Sequence, residues 1–211
     1  MNYMSPNMKM EVNCNSCYQR CFSGESCILA TYKNTDGNPG FLGVTPKIPA
    51  KVVPLDVKDG QMTWRVKSGG WFASIDQVVL DFDTDCNPAT CCCGGQGCFR
   101  QTLKGNGTAF LAAMGTIMTK ELAAGEVMVL DTNSLVAWQD TIKLDIKMTG
   151  GFCTCCCGGE GLFNTTVEGP GVVYIQSMSV EKFKAALRVA AAKGGGGKGG
   201  GAPLVGEEMA R

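Results

Sequence analysis

Thiols and carboxylates carry the chemistry available to this chain. Thirteen cysteines fall into three groups: Cys14, Cys17, Cys21 and Cys27; Cys86, Cys91, Cys92, Cys93 and Cys98; and Cys153, Cys155, Cys156 and Cys157. Thiolates can hold a metal, exchange electrons or accept an acyl chain, and each use asks for its own context. Cys14-x-x-Cys17 and Cys153-x-x-Cys156 have metal-ligand spacing, yet a structural site needs about four ligands in tetrahedral reach and adjacent cysteines rarely share one ion. The same pairs lack the βαβ surroundings of a thioredoxin-like redox motif. The runs Cys91–Cys93 and Cys155–Cys157 could be S-acylated and dock the chain on a membrane. The simplest role for each free cysteine is that of a small, easily buried hydrophobe.

Three of these thiols precede a recurring mark: Cys21-Phe-Ser-Gly24-Glu25-Ser26, Cys92-Cys-Gly-Gly95-Gln96-Gly97 and Cys156-Cys-Gly-Gly159-Glu160-Gly161. Glu25 and Glu160 hold equivalent positions, and paired carboxylates can act as general acid and base, which would make a hydrolase. The middle copy carries Gln96, which keeps the carbonyl acceptor and loses the charge. A structural carbonyl that accepts backbone N–H groups explains both residue types. Histidine is absent, which removes Ser-His-Asp and Cys-His nucleophile systems and histidine-ligated metals. No catalytic, cofactor-binding or metal-ligating residue is therefore assigned, no cofactor is expected, and the chain reads as a non-enzyme.

The mark belongs to a longer internal repeat. A shift of 64 residues places Gly105-Asn106-Gly107 on Gly169-Pro170-Gly171, Val66 on Leu130, Phe72-Ala73 on Val136-Ala137 and Val78–Phe82 on Ile142–Ile146, with one residue of slippage at Gly60 and Gly125. The repeated segments read as strands. In Ile142-Lys143-Leu144-Asp145-Ile146-Lys147-Met148 apolar residues alternate with charges, so one pleat face is dry and the other wet. Met62–Val66 and Val78–Phe82 read the same way, with Asn-Gly, Asp-Gly and Gly-x-Gly turns between such runs. Many short strands with glycine turns predict an all-β antiparallel sandwich or barrel. Trp64, Trp71 and Trp138 lie on these strands and are expected to fill core or interface.

The organisation follows: one repeated β domain over 1–178, with repeats at about 1–82, 83–148 and 149–178. A short helix capped by Ser179 is expected over 179–193, offering Phe183, Leu187 and Ala186 or Ala190 to the β core. Residues 194–211 form a flexible Gly-rich tail, in which Lys198 is followed by glycine and so lacks the Ser or Thr of a phosphate-binding loop. Nineteen basic and nineteen acidic residues give zero formal net charge, which argues against a nucleic-acid partner. Neither a secretory signal nor a bilayer-spanning run is legible, the most apolar stretch being Ala109–Met118. An odd number of cysteines without such a signal points to a reducing, intracellular compartment, cytoplasmic or mitochondrial.

Tyr3-Met4-Ser5-Pro6-Asn7, Gly158-Gly159-Glu160-Gly161, Gly169-Pro170-Gly171 and Tyr174-Ile175-Gln176-Ser177, in that order and spacing, resemble the altered inheritance of mitochondria protein 24 family. The resemblance runs from Met1 to about Ser179. It implies a fold like that of the tryptophan RNA-binding attenuation protein: a double-stranded β-helix or β-sandwich of pseudo-repeats, with no established catalysis. It also implies a homo-oligomer or a protein partner, a link to mitochondrial organisation, and a first repeat without its N-terminal part. Cysteine enrichment before Gly-Gly-Glu departs from the family, where small apolar residues are usual. The expected function is thus a structural or interaction protein, with a cysteine-dependent role and a hydrolase as the alternatives.

Overall fold

The computed structural model describes residues 1–14, 20, 26, 28–58, 63–84, 99–148 and 163–194. Among the described elements the fold is all-β and antiparallel with a short C-terminal helix. Its strands are β1 (Tyr3–Met4), β2 (Met8–Asn13), β3 (Leu29–Asn34), β4 (Leu42–Gly43), β5 (Lys51–Val57), β6 (Trp64–Val66) and β7 (Trp71–Thr84), then β8 (Phe99–Leu122), β9 (Val127–Asp131), β10 (Leu135–Gln139), β11 (Lys143–Met148), β12 (Phe163–Glu168) and β13 (Gly171–Met178), followed by α1 (Val180–Gly194). The alternation read in β11 is physical: Lys143 and Asp145 are exposed while Leu144 and Ile146 turn toward the core.

The largest sheet is ordered β13-β10-β6-β8-β5, with β7 on β8 and a further β13–β8 pairing. A smaller sheet is ordered β11-β12-β9, and β2–β3 and β1–β4 form two-stranded pairs. The 64-residue pseudo-repeat is written in the ladders themselves and relates two structural repeats, Lys51–Met114 and Gly115–Met178, with the segment before Lys51 outside both. Trp64 opposite Leu103 in β6–β8 recurs 64 residues on as Met128 opposite Val167 in β9–β12. Val79 opposite Lys104 in β7–β8 recurs as Lys143 opposite Glu168 in β11–β12. Even the irregularity between Trp71 and Ala73 recurs between Leu135 and Ala137. Before β6 the shift is one residue larger: Val57 opposite Gly107 becomes Leu122 opposite Gly171. That extra residue is the slip seen in the sequence near Gly60 and Gly125.

Equivalent positions build equivalent cores. Val57, Val78, Leu103 and Ala109 are buried in one apolar cluster, and their counterparts Leu122, Ile142, Val167 and Val173 in a second. Trp64 and Trp138 are buried as expected, while Trp71 is half-buried with the Arg20 guanidinium 5.8 Å above its ring centre. Ser179 caps α1 by accepting the Lys182 N–H at 3.1 Å. The helix differs from expectation beyond its first turn. Phe183 is half-buried, but Ala186 is exposed and Leu187 is 53% exposed. Ser179 and the Lys182–Asp131 ion pair at 2.7 Å anchor the start of the helix, and Ala186 and Leu187 are left uncovered, while the Ala190 side chain lies outside the described residues.

Two glycine pairs hold the bends of the repeated strands. Gly105 (φ +107°) and its counterpart Gly169 leave no room for a β-carbon, which would collide with the Gln77 and Ala123 carbonyl oxygens respectively. Gly69 has a left-handed φ of +76° but open space around it. Gly69→Ala should therefore cost about 1 kcal/mol from backbone strain alone. Gly105→Ala should cost on the order of 3 kcal/mol, because the ladder must also shift. Urea denaturation of the two variants checks this, and equal losses would contradict the steric account.

Candidate interaction surface

The three marker segments occupy the same place in each repeat, the connections β2–β3, β7–β8 and β11–β12. Glu25, Gln96 and Glu160 lie outside the described residues, as does every cysteine except Cys14. Whether Cys21, Cys92 and Cys156 converge, and whether Glu25 or Glu160 faces a cleft, thus falls outside them too. Cys14 is a free, exposed thiol at the end of β2. Among the described residues no group of three or more Cys, Asp or Glu side chains is placed to hold a metal ion, and no helix is long and apolar enough to cross a membrane.

A polar cluster sits where the two repeats meet. Lys67 Nζ donates to Asn133 Oδ1 at 3.1 Å, and Gln176 Nε2 donates to the Asn133 carbonyl at 3.0 Å. The Gln176 side-chain oxygen accepts the Met114 N–H at 3.0 Å. Asp131 accepts the Asn133 N–H at 2.9 Å and pairs with Lys182. Burial pushes the Lys67 ammonium below the usual lysine range, while the charges of Glu181 and Asp131 act in the opposite sense. A desolvated lysine can serve as a nucleophile. The adjoining cavity, bounded in part by Lys67, Gly70, Leu135 and Gln176, is only about 60 Å³, and small-molecule sites generally run to several hundred Å³. The geometry suits a clamp: Lys67 and Asp131 hold equivalent repeat positions with opposite charges, joined through Asn133.

The accessible chemistry lies instead on strand edges and apolar faces. Among the described residues β9 is paired only to β12, and β7 only to β8. Val127 is 55% exposed and Val129 58% exposed on β9, and on β7 Ile75 is 53% and Val79 63% exposed. An unpaired strand offers a row of N–H and C=O groups as a template for another strand. Exposed apolar side chains along it add area that association would remove from water.

A family model described as "Mitochondrial biogenesis AIM24" matches residues 1–178. The chain belongs to the AIM24 family. It is 32% identical over 167 residues to the uncharacterized protein M6_Spy0233 of Streptococcus pyogenes serotype M6, covering 79% of this chain and 64% of that relative's length. Its fold matches the crystal structure of protein SPYM3_0169 from Streptococcus pyogenes with a TM-score of 0.70 and 27% identity, over 90% of this chain and 85% of the other. The AIM24 chain thus spans just under two thirds of the curated relative it matches.

The Lys67–Asn133–Gln176 cluster was not legible in the AIM24 sequence. Its members are 66 and 43 residues apart and meet only through the ladders. Gln176 gave the one available signal, as a polar residue within the apolar run of β13. For Asp131, burial would raise the pKa, but hydrogen bonds from Lys182 and the Asn133 N–H, with the charges of Lys182 and Lys67, outweigh it and hold the carboxyl below its usual value. A depressed carboxyl pKa contributes stability that is complete above the unfolded value, near pH 4, and is lost as pH falls through the folded one. Lys182→Met should accordingly move the acid-unfolding midpoint, followed by circular dichroism, to higher pH. An unchanged midpoint would mean that the ion pair contributes nothing.

Proposed function

We propose that this AIM24 protein is a non-enzymatic interaction module, assembling with other copies or with a protein partner through its sheet edges. The observation that carries this reading is the edge of β9, unpaired among the described residues, with Val127 and Val129 exposed along it. A strand of this kind is a liability unless something pairs with it. Family membership supports a role in mitochondrial organisation, since the family is described by mitochondrial biogenesis. The balanced charge supports protein over nucleic acid as the partner, and several surface lysines already face carboxylates, as in Lys33–Glu11 at 2.7 Å and Lys104–Asp81 at 2.6 Å.

Sedimentation velocity across the micromolar range tests the reading. Mass above the monomer, growing with concentration, is expected. A strict monomer that also captures no protein from a lysate of its host would contradict it.

A further inference from the structure

Between Lys51–Met114 and Gly115–Met178 every described ladder within one unit has its counterpart in the other, but one ladder between the units does not. β6 pairs with β10 across the repeat boundary, with Val66 opposite Ala137, Arg65 opposite Trp138 and Trp64 opposite Gln139. The repeat shift turns β6 into Met128–Leu130 of β9, and β10 into the first half of β7. β9 therefore carries the β6 half of this pairing and β7 the β10 half, and among the described residues neither edge is paired.

Burial records the missing neighbour. Val136, Ala137 and Trp138, with β6 beside them, are 3%, 0% and 1% exposed. Their counterparts Phe72, Ala73 and Ser74 are only half-buried. On the other half, Trp64 and Val66 are buried, whereas Met128 and Leu130 are half-exposed. The same residue positions in the same fold thus lose cover wherever the cross-repeat partner is lacking. Arg20 lies over the Trp71 ring, outside the three residues that would enter the pairing.

We infer that β9 of one copy pairs antiparallel with the first half of β7 of a second copy. The internal ladder sets the register: Leu130 opposite Ala73, Val129 opposite Ser74 and Met128 opposite Ile75. This inference rests on the interaction reading and names its partner and surfaces. A second copy is the occupant because the two open edges are complementary halves of a pairing that this chain already makes once within itself. The contact is head-to-tail, so it builds rings or filaments and not a two-fold dimer. Main-chain hydrogen bonds supply attraction, and the opposed side chains set register.

Charge placed on the opposed pair tests it by sedimentation equilibrium on the full chain. Val129 is exposed and Ser74 half-buried, so substitutions there leave the core intact, which the thermal unfolding curve verifies. V129K/S74K sets like charges directly opposite and should weaken self-association by about tenfold or more. V129K/S74E sets opposite charges there and should restore it. V79K, on an exposed position outside the register, should leave it unchanged. If wild type associates and V129K/S74K associates equally well, the inference is overturned while the interaction reading stands. If wild type is strictly monomeric the inference also fails, and capture of a different protein partner would then show whether the reading survives it.

Discussion

Everything in this structure hangs on β8. Its 24 residues, Phe99–Leu122, pair with β7, β6, β5 and β13 in turn along their length. The first part serves one repeat and the last part the next, and the join is at Gly115, whose φ of +72° lets the strand turn without breaking. A continuous strand spanning a repeat boundary couples the two cores mechanically. Ala109, Leu111 and Ala113, all but fully buried and paired to β5, and Leu122, which belongs to the second cluster and is paired to β13, are carried by the same strand.

Repetition on this plan creates both the order and the incompleteness of the molecule. Ladders within a repeat close by themselves, so they appear twice in the same register. The β6–β10 ladder needs two repeats, so among the described residues it forms once and its two halves stay unpaired elsewhere. The polar clamp of Lys67, Asn133 and Gln176 lies beside this ladder, where Lys67 N–H also donates to the Val136 carbonyl at 2.9 Å. The half-buried Lys67 ammonium places one of its three donors on the Asn133 amide oxygen, which offsets part of the cost of its desolvation. The Lys67–Asn133 hydrogen bond is thus a brace across the boundary between repeats.

Much of the architecture was legible in the sequence because repetition is a sequence property. The charge alternation of β11, the glycine pairs at 105–107 and 169–171, and the one-residue slip near Gly125 all became features of ladder register. Ala109–Met118 was read only as too short to cross a membrane. It lies within β8, where Ala109 and Leu111–Met114 are buried between flanking strands while Gly115, Thr116 and Met118 are exposed, and periodicity cannot separate such a run from other buried segments. The end of α1 was misread because helical spacing says which residues share a face but not whether a surface waits opposite. The edges of β7 and β9 that are unpaired among the described residues left no mark at all, since Phe72–Ile75 and Val127–Asp131 are ordinary strand sequences. Their openness depends on which strand lies next to them, which no local pattern encodes.

Membership of the AIM24 family and the shared fold with SPYM3_0169 fix the architecture; assembly across β7 and β9 is the claim that gives it a use. Amide hydrogen exchange at two protein concentrations, one dilute and one well into the micromolar range, addresses that claim most directly. Protection should rise with concentration in peptides covering Val127–Asp131 and Trp71–Ile75 together, while those covering β10 and β6, already paired, stay constant. Concentration-independent exchange at both edges would contradict the account.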